Sequence, residues 1–187
     1  VSDNFGPDVW EKALLDADVQ ITSFEAMLDY DAALLPSVLK GCASVLDRSH
    51  TTILEDIGTY LVTDQSHASI RRLMRFGGQS FVELLLSLDE LPGRTRLAVS
   101  GLDLPDIKVR EHQPHSFTVQ CSNGPAEFGH VLVGLLRAMA DDYGALAVLE
   151  HLGSRDGSEV IEVMVVDTSF AEDRGFSLAT DEAQVVA

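Results

Sequence analysis

The sequence predicts an α+β fold in which helices come first and a four-stranded antiparallel sheet with one packed helix follows. Apolar residues recur at helical spacing through the first half of the chain. After residue 106 the pattern changes to short apolar runs separated by strong turn signals. Helices grouped before strands are typical of α+β domains, whereas α/β folds alternate the two.

Five helices are predicted in the first half, each carrying an apolar stripe. Pro7 suits the first turn of the first helix, and Ser49, Thr51 and Thr52 offer caps for the third. The fourth begins near residue 66 and is interrupted at residues 77–78, whereas the Pro92-Gly93 pair is expected to end the fifth. The five segments lie at residues 8–17, 31–46, 53–61, 66–76 and 80–91.

The second half predicts two strand pairs around one helix. The helix, 128–143, has six large apolar side chains at helical spacing and is closed by Gly144. Turn-forming residues at 122–125 and 154–157 separate the helix and the strands. The four strands are expected at residues 107–110, 116–121, 145–152 and 160–167.

Composition excludes several classes of partner. The chain has 187 residues and a formal net charge of −17 at pH 7, so a phosphate backbone and an anionic membrane surface would both be repelled. No apolar run is long enough to span a bilayer. Cys42 and Cys121 are far apart and show no paired spacing, which favours a reduced, cytoplasmic protein.

No set of catalytic residues is apparent, so a binding or regulatory protein is favoured over an enzyme. The nucleotide-loop, metalloprotease and nucleophile-elbow motifs are absent. No metal site is assigned, because His112 and His115 flank a predicted hairpin tip with no third ligand nearby. His130 is interpreted as a surface or capping residue, and the side of its strand to which His151 points is undetermined.

Several strings, in their order, resemble the bacterial heme-nitric-oxide/oxygen-binding (H-NOX) family. They are the helix at 54–62, the segment 76–85 followed by 87–91, and the helix 129–143 followed by a hairpin. The likeness covers essentially the whole chain. It implies a single domain over residues 1–180, with a distal helical part at 1–65, a proximal helix and sheet at 66–180, and a tail at 181–187.

The resemblance also implies a heme site. Family members bind iron through a histidine, bend the porphyrin with a proline and hold the propionates with a Tyr-x-Ser-x-Arg motif. In this chain the histidine position is Pro92 and the bending proline is Pro105. The propionate motif falls on residues 120–124, where only Ser122 is retained. The other pocket positions implied by the resemblance are Met74, Phe81, Leu88 and Leu91.

Three functions remain open at this point. The first is a sensory or regulatory binding protein in which heme binding is weakened, altered or lost. It would have a diguanylate cyclase, phosphodiesterase or histidine kinase as its partner. The second is a nitric oxide or oxygen sensor that holds heme through a substitute ligand such as His112, His115 or Cys121. The third is a sensor of another apolar ligand in the same cavity.

Overall fold

The computed structural model describes residues 1–21, 23–25, 28, 30–31, 33–98 and 104–167. The predicted tail at 181–187, and the end of the predicted domain, lie outside the described residues.

Eight α-helices and four strands are formed in the described part, with 3₁₀ turns at Gln65–His67 and Leu88–Glu90. The helices are α1 Ser2–Phe5, α2 Pro7–Asp16, α3 Leu34–Leu46, α4 His50–Thr63, α5 Ala68–Arg75, α6 Phe81–Leu86, α7 Leu91–Ala98 and α8 Phe128–Tyr143; the strands are β1 Asp106–Gln113, β2 Ser116–Ser122, β3 Leu146–Arg155 and β4 Ser158–Asp167.

Side-chain caps fix where two of the helices begin. The Ser49 hydroxyl accepts a hydrogen bond from the Thr52 N–H at the start of α4. At the start of α6, Ser80 accepts from the Glu83 N–H, while the Glu83 carboxylate accepts from the Gln79 N–H. Such caps satisfy backbone donors that have no partner within the helix.

The predicted fifth helix is wrong at its C-terminal end. α6 stops at Leu86, a 3₁₀ turn follows, and Pro92-Gly93 lie inside a new helix, α7, rather than ending the old one. Proline lacks an N–H and its ring would clash with the carbonyl four residues earlier, so it cannot continue the α6 helix. In the first turn of α7 the missing donor is not needed, and Pro92 is accommodated there.

The four strands form one antiparallel sheet in the order β1-β2-β4-β3. Cys121 of β2 pairs with Ile107 of β1 and with Glu159 of β4. The β3–β4 hairpin turns at Asp156 and Gly157, which both have positive φ angles (51° and 75°), as a tight two-residue turn requires. The sheet therefore agrees with the predicted four-stranded antiparallel arrangement, although β1 and β3 extend beyond their predicted ends.

The core consists of two clusters. The larger one fills the space between α8, the helices from α4 to α7 and the inner face of the sheet. The smaller one joins α2, α3 and α4 around Ala13, Leu39, Cys42, Ile53 and Leu54. α4 belongs to both, so it connects the N-terminal helices to the rest of the domain. In the described part of the chain, no helix is long and apolar enough to cross a membrane.

Candidate functional site

Four of the residues expected in the heme pocket lie in the larger core cluster. Met74, Phe81, Leu88 and Leu91 are each at most 5% exposed. The Phe81 ring packs against the Tyr143 ring of α8, with 6.4 Å between the centroids. These side chains therefore contribute to the packing between helices and sheet.

Pro92 is buried in the first turn of α7, beside the 3₁₀ turn that packs against β1. Its neighbours hold this turn in place: the Thr95 hydroxyl donates to the Leu91 carbonyl (2.9 Å) and the Arg94 guanidinium donates to the Ser87 carbonyl (2.6 Å). Heme iron requires an axial donor atom, and proline has none. The residue at this position therefore does not fit the coordination of heme iron.

The other two expected residues, Pro105 and Ser122, line a cleft of about 530 Å³ at one end of the sheet. The first turn of α8, the end of β2 and the start of the β3–β4 hairpin enclose it. Its volume falls within the range of ligand pockets, roughly 300–1,000 Å³.

Polar side chains replace the apolar core at this end of the sheet. Inward-facing positions further along the strands carry Phe117, Val119 and Ile161, all fully buried. At the cleft the same face presents Cys121, Glu159 and His151. A largely buried group of polar side chains that lines a concave site makes this cleft a candidate functional site.

His151 has both ring nitrogens engaged. Its Nδ1 accepts a hydrogen bond from the Gly153 N–H (3.3 Å), so Nε2 carries the proton and donates to Glu159 Oε2 (2.8 Å). The same carboxylate oxygen accepts from the Gly129 N–H at the start of α8 (2.9 Å). A Cβ at residue 129 would lie 2.5 Å from this oxygen, so glycine is needed for the approach.

His130 lies over His151, with 4.0 Å between the ring centroids and 32° between the ring planes. Its Nδ1 is buried without a hydrogen-bond partner and faces Glu55 Oε1 of α4 at 3.6 Å. Glu55 is itself held by Arg137 at 2.9 Å. His130 is one of the residues that line the cleft, and no residue of the described part hydrogen-bonds to its Nε2.

The three substitute iron ligands suggested by the sequence are not brought together. His112 and His115 are exposed at the far end of the β1–β2 hairpin, roughly 13–20 Å along the strands from Cys121. His112 is hydrogen-bonded to Thr118 (2.8 Å). Cys121 does line the cleft, but burial, assisted by the charge on Glu159, raises the pKa of its thiol to about 12. It is therefore a protonated thiol at neutral pH.

The positions expected to hold heme propionates supply no cation. Gln120 is directed to the solvent side of the sheet, because Val119 and Cys121 on either side of it face the core. Gly124 packs on Pro105, and a Cβ there would lie 2.3 Å from the proline ring. The described residues that line the cleft include no lysine or arginine.

His130 and His151 are the site residues that sequence reasoning missed. No local pattern marks them, because their contact joins α8 to β3 across the core and depends on the sheet register. The signal that could have found them is the apolar alternation of β3 and β4, which His151 and Glu159 interrupt.

Comparison with known proteins decides the family. The protein-family model described as Haem-NO-binding matches residues 1–151. The chain belongs to this family. Solved H-NOX structures share the fold. A mutant H-NOX protein from K. algicida in the Fe(II) unliganded state is 16% identical, with a TM-score of 0.76 over 89% of this chain and 91% of that one. An H-NOX protein from S. oneidensis in the Fe(II)NO ligation state is 15% identical, with a TM-score of 0.73 over 89% of this chain and 93% of that one. Heme is the cofactor expected for this family.

A curated relative extends the likeness to a much longer protein. The soluble guanylate cyclase 89Da of Drosophila melanogaster is 18% identical over 152 residues, which are 81% of this chain and 23% of that protein. The chain thus spans about a quarter of the length of that relative.

Proposed function

We propose that this H-NOX domain is a sensory or regulatory binding domain in which iron coordination at the family's histidine position has been lost. The observation that carries the proposal is Pro92, a buried residue without a donor atom at the position that the resemblance assigns to the ligand. The absence of a cation at Gln120 and Gly124 supports it, because propionates are best held by a guanidinium. Heme binding is accordingly weakened, altered or lost.

The domain is proposed to act through a partner rather than by catalysis, in the cytoplasm. Both cysteines are buried and unpaired, which fits a reducing compartment. The partner is a signalling protein of the diguanylate cyclase, phosphodiesterase or histidine kinase type.

The outer face of the sheet offers a surface for this partner. Leu146, Val148, Met164 and Val166 are each more than half exposed on β3 and β4. Glu150 and Glu162 lie directly opposite each other beside them, and no described residue forms an ion pair with either. Like charges placed opposite each other destabilise a sheet, and a lysine or arginine of a partner would relieve this repulsion. The favoured partner therefore has an apolar patch bordered by lysine or arginine.

A substitution in this surface tests the partner assignment. The unmodified domain would first be tested for binding to a panel of purified cyclases, phosphodiesterases and kinases. Met164→Glu should then weaken binding to the partner identified in this way by at least about tenfold, because it adds a charge to an apolar patch. Lys108→Glu, on the same face at the opposite edge strand, is the matched control. Equal affinity of the Met164→Glu and unmodified domains would exclude this face.

The Pro92 assignment is tested by restoring a donor. Pro92→His should bind hemin at least about tenfold more tightly than the unmodified domain, because it supplies an axial imidazole. Pro92→Ala controls for the loss of the proline ring alone. If the histidine and alanine variants bind hemin equally, residue 92 is not at the ligand position.

A further inference from the structure

Glu159 carries a charge in the cleft that no described side chain balances. Its side chain is 14% exposed, and its one ion-pair partner among the described residues is His151. That imidazole accepts the Gly153 N–H on Nδ1 and donates from Nε2, so it is in the neutral form. The described residues that line the cleft include no lysine or arginine. A largely buried carboxylate is costly to keep ionised without a cation beside it.

The two carboxylate oxygens of Glu159 differ in their surroundings. Oε2 accepts hydrogen bonds from the Gly129 N–H (2.9 Å) and from His151 Nε2 (2.8 Å), which fix the carboxylate at the start of α8. Oε1 accepts no hydrogen bond from any described residue, and it is not one of the fully buried polar atoms that lack a partner. Because Glu159 lines the cleft, Oε1 is the oxygen that remains for a donor from outside the protein.

The rest of the lining disfavours anions and bare metal ions. The exposed Glu127 adds a second carboxylate to the cleft, and the whole chain carries a net charge of −17. The N–H groups in the first turn of α8 are already used, since Phe128 donates to the Pro125 carbonyl and Gly129 to Glu159. Within the described residues, no three His, Cys, Asp or Glu side chains converge in a way that could hold a metal ion.

We propose that this cleft binds a small organic cation with N–H donors, a primary ammonium or a guanidinium, through Oε1 of Glu159. Such a group forms a charge-assisted hydrogen bond to a carboxylate, which is stronger than a neutral hydrogen bond. The cleft volume of about 530 Å³ suits a small molecule, and Pro105 and Phe128 supply apolar surface for its carbon chain. The proposal goes beyond the loss of iron coordination at Pro92 and concerns different residues, so the two are tested separately.

The experiment is isothermal titration calorimetry of the purified domain, without added hemin, against four small molecules of similar size. Butylamine and butylguanidine should bind saturably at millimolar or lower concentration, whereas uncharged butanol and anionic butyrate should not. Nuclear magnetic resonance spectra recorded along the butylamine titration should show the ring signals of His130 and His151 shifting. The ring signals of His112 and His115, which are exposed at the far hairpin, should stay in place.

Two variants separate the charge in the cleft from the charge of the whole chain. Glu159→Gln removes the charge but keeps a side-chain oxygen for the Gly129 and His151 donors, and it should weaken butylamine binding at least about tenfold. Glu11→Gln removes one charge from an exposed position of α2 and is the matched control, which should bind as the unmodified domain does. Far-ultraviolet circular dichroism checks that both variants are folded.

Four results would overturn the proposal. They are no saturable binding of either cation to the unmodified domain, equally tight binding of butanol, unchanged binding by a folded Glu159→Gln domain, and an equal loss in Glu11→Gln. If Glu159→Gln does not fold, the unmodified domain decides, because unshifted His151 ring signals at saturation would place the amine elsewhere. None of these results changes the hemin comparison of Pro92→His with Pro92→Ala, and failure of that comparison leaves the amine titration standing.

Discussion

At the scale of single residues, the inward positions at the cleft end of the sheet hold groups that the rest of the core excludes. Cys121 and Glu159 are cross-strand partners, and His151 joins the carboxylate from β3. Burying such groups is costly unless they are hydrogen-bonded, and the carboxylate accepts from both a backbone N–H and an imidazole. The polar cluster is thus satisfied locally, with His130 Nδ1 as the exception.

The buried thiol of Cys121 predicts a fall in stability at alkaline pH. Burial first, and the Glu159 charge second, raise its pKa from 9.0 to about 12 in the folded state. The unfolded chain therefore releases this proton at lower pH, so the contribution to stability is complete below about pH 9 and is lost as pH rises toward 12. The urea midpoint should fall more between pH 8 and pH 11 than it does in Cys121→Val.

Valine is the appropriate comparison because it keeps an apolar side chain in the core and removes only the titrating group. Burial also raises the pKa of Tyr143, so both proteins will lose some stability at high pH. If the urea midpoints of the two proteins fall in parallel, the Cys121 thiol is not the titrating group responsible.

At this scale the sequence could predict only properties that belong to a side chain by itself, such as whether it has a donor atom. Pro92 lacks a donor whatever its surroundings, so the absence of an axial ligand there follows from the residue alone. The surroundings of His130 could not be predicted, because they include Glu55 of α4 and a histidine of β3 that is 21 residues away. Neither contact follows from local spacing.

At the scale of elements, α4 and α8 approach each other closely through a pair of glycines. A Cβ at Gly58 would lie 1.9 Å from the Val131 carbonyl oxygen, and a Cβ at Gly134 would lie 1.9 Å from that of Glu55. Thr59 spans the contact by donating to the Gly134 carbonyl (3.2 Å). The close approach also brings Glu55 to His130, so helix packing sets the geometry of the cleft.

Substitution of a contact glycine should separate these helices. Gly134→Ala places a methyl group against backbone rather than against a flexible side chain, and should cost about 1–3 kcal/mol of unfolding free energy. Gly93→Ala is the control, because a Cβ there meets nothing within 4 Å and alanine favours a helix. Equal unfolding free energies for the two variants in urea denaturation would contradict the close packing of α4 on α8.

The sequence predicted elements best where periodicity and terminating residues agree. α8 begins and ends at the predicted residues 128 and 143, because an uninterrupted apolar stripe is followed by Gly144 in the left-handed conformation. The segment 80–91 also has a stripe, but α6 ends at Leu86 and Pro92 requires a new helix, so one predicted helix became two with a 3₁₀ turn between them.

At the scale of the whole molecule, the fold has been kept although few residues are shared. The H-NOX structures named above superpose with TM-scores of 0.73 to 0.76 at 15–16% identity. Apolar patterning and turn positions are sufficient to specify such a fold, whereas a cofactor site depends on a few particular residues. The α+β class and the four-stranded antiparallel sheet were therefore predictable, whereas the strand order and the position of the polar cleft were not.

The central claim is that coordination at the family's histidine position is lost. The heme content of the purified domain tests this claim most directly. The domain would be expressed with excess heme precursor, and its absorbance spectrum would be compared with the protein concentration. Without a donor atom at residue 92 and without a propionate-binding cation, the domain should hold well below one heme per chain and show a weak Soret band. A strong Soret band with one heme per chain would contradict the account.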